Sequence, residues 1–145
     1  MLQKRLNTSI CLDESIRNRR DALAAIEMES CKIINIKLGR VGGFSEAIAV
    51  HNATQERGVP VWCGGMLETG LGRAANLALA ALPNFTLPGD ISASNRYYTE
   101  DIAEPLFVLN PDSTLIVPTS PGLGVTVNEK VLGKFTDYTE TFGHG

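Results

Sequence analysis

Hydrophobic and polar positions along the chain fall into two alternating patterns. Residues 9–13 (SICLD), 33–37 (IINIK) and 59–63 (VPVWC) are short runs rich in apolar or β-branched side chains, as buried parallel strands should be. Residues 86–92 (TLPGDIS) form a fourth, weaker run, because Pro88 and Gly89 interrupt it. Helical stripes lie between them. Residues 19–29 place Ala22, Leu23 and Ile26 on one face, and residues 44–57 do the same with Phe44, Ala47, Ile48 and Ala53. Residues 71–82 are apolar apart from Arg73 and Asn76, so this third helix is expected to be the most deeply packed before Pro83 stops it. Gly43 or Ser45 can open the second helix, and Gly58 stands where a left-handed cap would close it.

The extended runs begin at residues 9, 33, 59 and 86, a recurrence of about 25 residues that fits a strand, a crossover helix and the next parallel strand. The class is therefore α/β, either part of a (β/α)8 barrel or an open doubly wound sheet. A complete barrel takes about 250 residues. With 145 residues in all, the four units within residues 1–94 amount to at most half of one. Residues 95–145 change character, with more Pro, Thr and Val and no comparable helical stripe. Residues 106–109 and 114–117 flank the turn cluster Asn110-Pro111-Asp112-Ser113 and predict a hairpin. Residues 120–127 (SPGLGVTV) read as a loop entering an extended segment, and Gly143-His144-Gly145 as a frayed end.

Composition narrows the function classes. The chain is 43% hydrophobic and 20% charged, enough to bury a core, and its net charge of -3 favours neither a nucleic-acid backbone nor an anionic membrane surface. No apolar run approaches the roughly 20 residues of a membrane helix, and residues 1–6 (MLQKRL) lack the apolar core of a signal peptide, so the chain reads as cytoplasmic. Cys11, Cys31 and Cys63 are an odd number without a CxxC pair and read as reduced thiols. Cys11 and Cys63 fall within strand runs, where a cysteine acts as a small buried hydrophobe.

In βα architectures chemistry gathers at the carboxyl ends of strands. Those ends carry Asp13-Glu14, Lys37, residues 64–72 (GGMLETGLG) and Asp90. Asp13, Glu14 and Ser15 can serve as caps of the following helix or as site residues. Asp13 and Glu14 point to opposite faces while the strand lasts, so one carboxylate at most lines the mouth. Lys37, closing a buried run, can extend its stem to solvent or act as a base in a desolvated site. His51, inside the second helix, reads as a packed or surface residue.

Taken in order, LDES (12–15), NIKLGRVGG (35–43), WCGGMLETGLGRAAN (62–76) and LPGDIS (87–92), with the SPGLGV loop, resemble the C-terminal half of an enolase-superfamily enzyme. The segment is most similar to the o-succinylbenzoate synthase and N-acylamino acid racemase family of the muconate-lactonizing subgroup. This resemblance implies a (β/α)7β barrel with a separate capping domain, toward which residues 95–145 would pack. It also implies one Mg²⁺, with Asp13 as a metal ligand and Lys37 as a catalytic base. Gly65, Met66, Leu67 and Asp90 would contact substrate, and Glu68 would lie near the lysine. The implied substrate is a small carboxylate whose α-proton is removed. Loss of a β-hydroxyl then gives o-succinylbenzoate, on the way to menaquinone, and reprotonation gives racemisation. Dipeptide epimerases of the subgroup carry D-x-D where this chain has Asp90-Ile91-Ser92, which argues against that activity.

The capping domain, a Lys-x-Lys strand and two of three metal ligands have no counterpart in these residues. The chain alone is therefore expected to be inactive, and to associate with itself or with a missing N-terminal half. Two other readings compete. Gly70-Leu71-Gly72-Arg73-Ala74-Ala75, with Asp90 downstream, matches a dinucleotide-binding fingerprint, although six residues separate its first glycine from the strand. A noncatalytic half-barrel kept for assembly is the third reading.

Overall fold

The computed structural model describes residues 1–143; His144 and Gly145, part of the expected frayed end, lie outside the described residues. Three parallel strands, β1 (Cys11–Leu12), β2 (Ile33–Ile36) and β3 (Val61–Cys63), pair in chain order. Each is followed by a helix: α1 (Arg19–Glu27), α2 (Phe44–Gln55) and α3 (Gly70–Ala80). The register sets Ile34 beside Val61 and Ile36 beside Cys63. These four side chains point to one face and are buried against Ala22 and Ala25 of α1, Ala47 and Val50 of α2, and Leu79 of α3. All three helices thus cover the same face of the sheet. Burying each of the two isoleucines contributes about 2–3 kcal/mol. The other face carries Cys11, Asn35 and Trp62 by the same alternation.

Several expectations need correction. The fourth run forms no strand. Residues 85–90 follow β3 only through a parallel bridge from Val61 to Phe85 and an Asp90 N–H donated to the Cys63 carbonyl at 3.3 Å. Pro88 has no N–H to give, and Gly89 lies so close to Cys63 that a Cβ there would sit 2.9 Å from its carbonyl oxygen. Ala47 and Ala53 of the expected α2 stripe are buried, but Val50, His51 and Thr54 complete the inner face while Phe44 and Ile48 are exposed. His51 and Thr54 tolerate burial because Asn84 answers both: its backbone N–H donates to His51 Nε2 at 3.1 Å and its side chain to Thr54 Oγ1 at 3.1 Å. Cys11 is exposed, since β1 is the edge strand and its thiol lies on the face away from the helices.

The expected hairpin forms only its turn. Asn110 N–H donates to Thr114 O at 2.9 Å, but the flanking residues build no ladder. The antiparallel pair lies elsewhere, between β4 (Ala103–Glu104) and β5 (Thr126–Val127), the latter within the predicted extended segment. A one-and-a-half-turn helix, α4 (Glu129–Lys134), follows, capped by the Asn128 side chain. Phe107 packs on Ala74 and Leu77, so the tail shares a core with α3. As expected, α3 is the most deeply packed helix, its buried residues including Arg73 and Asn76. Among the described residues no helix is long and apolar enough to cross a membrane.

Candidate active site at the strand ends

Asp13 and Lys37 follow neighbouring parallel strands on the face away from the helices, and their side chains meet. Lys37 Nζ lies 3.2 Å from Asp13 Oδ2, with side chains 19% and 27% exposed. A pair this accessible keeps contact with water while its surroundings hold its geometry. Asp13 is not spent on capping: Asn18 caps α1 by accepting from the Asp21 N–H, and Glu14 and Ser15 are exposed.

A residue that the sequence reading passed over completes the cluster. Arg40 stands in the β2–α2 loop, which folds back as Val41 N–H reaches Lys37 O at 3.2 Å and Gly43 N–H reaches Leu38 O at 3.0 Å. Gly43, at φ 110°, enters α2 from a backbone conformation that a side chain would strain. The guanidinium returns over β2 to hold the other Asp13 oxygen, the Asn35 carbonyl, and the Ile16 carbonyl at 2.8 Å from Nε. Burial works against its charge and lowers its pKa. Arg40 lies inside the NIKLGRVGG stretch, but a loop arginine carries no periodic signal of its own.

The loop between β3 and α3 supplies the adjoining wall. Met66 and Leu67 are exposed at 58% and 66%, yet the backbone beneath them is tied down. Gly65 N–H donates to Asp90 Oδ1, Met66 N–H to Glu68 Oε2 at 2.7 Å, and the Tyr98 hydroxyl to Leu67 O. Asp90 and Glu68 therefore have defined structural duties: Glu68 also accepts from Asn76 Nδ2 at 3.0 Å. Arg73 ties Glu68 O at 3.2 Å and pairs with Asp101 at 3.3 Å, both charged side chains being fully buried.

The same contacts weigh against the dinucleotide reading. Gly70 N–H at the start of α3 donates to Asp101 Oδ1 at 2.8 Å, so a carboxylate of the chain already occupies the place a pyrophosphate would take. Nor does the sheet reverse its order to make a crevice.

A magnesium ion takes about six oxygen ligands. Asp13 offers one carboxylate, already held by a lysine and an arginine, and among the described residues no three His, Cys, Asp or Glu side chains gather into a cation site. These residues by themselves do not fit a Mg²⁺ centre.

Parallel strands in chain order, helices on one face, and an acid and a lysine meeting at the carboxyl edge define an α/β domain that brings a carboxylate and an amine together at its strand ends. The chain belongs to the enolase C-terminal domain-like family, whose pattern matches residues 1–131. It is 58% identical over 135 residues to an N-succinylamino acid racemase of Amycolatopsis, covering 93% of this chain and 36% of that protein. It is 53% identical over 141 residues to the o-succinylbenzoate synthase of Bacillus subtilis, covering 97% and 38%. An enolase-superfamily crystal structure from Listeria innocua superposes with a TM-score of 0.92 at 54% identity, covering 96% of this chain and 37% of that one. The chain thus spans well under half the length of the relatives it matches.

Proposed function

We propose that these residues form the C-terminal part of a (β/α)7β barrel whose whole protein removes a proton α to a carboxylate and either eliminates a β-hydroxyl or returns the proton. The observation that carries this reading is the Lys37–Asp13 contact at the strand ends, beside the tied loop bearing Met66 and Leu67. The family membership and the synthase and racemase relatives support it. Residues 1–94 are the barrel part and residues 95–145 a tail directed toward a capping domain.

Lys37 is the proton carrier of this part. As an amine it takes the α-proton, and as an ammonium beside Asp13 it holds that proton and can give it back to the enediolate on the same face. Inversion needs a second acid on the opposite face, supplied from outside these residues. Met66 and Leu67 offer an apolar rest for the acyl portion of a small carboxylate substrate, and Asp90 holds Gly65 so that this surface stays in place. Mg²⁺ belongs to the whole protein in this reading, with Asp13 contributing one of its carboxylates.

The test joins residues 1–145 to the N-terminal part of the Listeria relative and follows α-proton exchange of an N-succinyl amino acid in D₂O by NMR. Exchange is expected from the joined protein, is expected to vanish on Lys37→Met for the enantiomer whose α-proton faces Lys37, and is expected to be absent from the 145-residue chain alone. Tight NADH binding without exchange would instead support the dinucleotide reading.

A further inference from the structure

Asn35 is the one place among the described residues where burial and bonding disagree. The residue is fully buried, yet neither Oδ1 nor Nδ2 of its amide has a hydrogen-bond partner. Buried amides are almost always satisfied, and an unmet one is a standing cost to the fold. Asn35 lies on β2 two residues before Lys37, which directly follows the strand, so both side chains leave the same face. They converge over Gly64. A Cβ on that glycine would lie 2.5 Å from Asn35 Oδ1, 2.6 Å from Nδ2 and 2.7 Å from Lys37 Cε. The missing side chain leaves a space that the amide and the last methylene of the lysine share. The Lys37 ammonium is one bond beyond that methylene, and now rests on Asp13 Oδ2 at 3.2 Å.

We propose that Asn35 is the second partner of Lys37, its amide oxygen receiving the ammonium whenever that group leaves Asp13. Rotation about the outer bonds of the lysine moves Nζ between the two acceptors while the stem stays over Gly64. The amide holds the ammonium without adding a negative charge, and the lysine remains at the mouth when Asp13 is otherwise engaged. Asn35 is then a positioning residue, unpaired in the present arrangement because its partner is docked next door. Its catalytic meaning rests on the function proposed above, whereas the contact itself does not.

The test observes the contact directly in the ¹⁵N-labelled 145-residue protein, through the Asn35 side-chain NH₂ signals. Asp13→Asn removes the charge that keeps Lys37 away, and these signals are expected to shift. The shift is expected to be lost when Asp13→Asn is made in a Lys37→Met background. Unmoved signals, or an equal shift in both backgrounds, would overturn the proposal. A second variant guards against failure of the first to fold. Asn35→Leu removes an amide that has no partner while Lys37 sits on Asp13, so the melting temperature is expected to rise by about 2–4 °C. A fall would show that the amide already has a partner, and would overturn the proposal. Neither readout depends on turnover, so a joined protein that fails to exchange α-protons counts against the functional reading alone.

Discussion

Cys11 and Cys63 carry the same side chain on opposite faces of one sheet, with opposite fates. Cys63 faces the helices, and burial pushes its thiol up from an ordinary 9.0 to about 12, with Glu68 and Asp90 adding to the rise. The unfolded chain releases this proton from about pH 9 while the folded chain keeps it. Stability is therefore full below that pH and is lost as pH rises toward 12, with a slope approaching about 1.4 kcal/mol per pH unit for this one group. Urea unfolding between pH 8 and 11 should show this decline, and Cys63→Ala should flatten it. Cys11, exposed at the sheet edge, should react with iodoacetamide in the native protein while Cys63 does not. Arg40 offers a second prediction at this scale: Arg40→Met strips donors from two carbonyls and a carboxylate and should cost about 2–4 kcal/mol in urea unfolding. Asp13 and Lys37 could be paired from sequence because both end apolar strands one βα unit apart. Asn35 was quoted in a motif without a role, because a lone polar residue in an apolar run does not reveal whether anything answers it.

At the scale of elements, the three strands and three helices were legible because burial on one sheet face imposes periods that composition makes visible. The boundaries that moved have local causes. Three extended runs failed to become strands: residues 86–92 lack a donor at Pro88, and residues 106–109 and 114–117 turn without pairing. The pairing of β4 with β5 joins segments too far apart in sequence for a turn signal to announce it. The outward placement of Phe44 and Ile48 depends on Asn84 making His51 and Thr54 acceptable inside, a tertiary fact absent from the stripe itself. The glycine pattern at the start of α3 also has a packing cause, since a Cβ at Gly70 would meet Ala103 at 2.8 Å. Asp101 at that helix start carries a prediction. Asp101→Asn leaves the buried Arg73 without its counter-charge and should cost about 3–5 kcal/mol, whereas Asp101→Leu with Arg73→Met should recover much of the loss by thermal or urea unfolding.

At the scale of the molecule, the sheet packs one face against its helices and leaves Cys11 exposed on the other, at the open edge of β1. We propose that this surface seeks a partner, either another copy or the remainder of a barrel. Sedimentation of the purified chain should show concentration-dependent association, and a monodisperse monomer would contradict it. The loop after β3 depends on residues far along the chain, since Tyr98 holds Leu67 and Asp101 holds Gly70. Anyone grafting the 64–70 segment into a relative to alter selectivity must therefore carry residues 95–104 with it. The two stretches behave as a single transplantable cassette, and either one moved alone would arrive without its clasp.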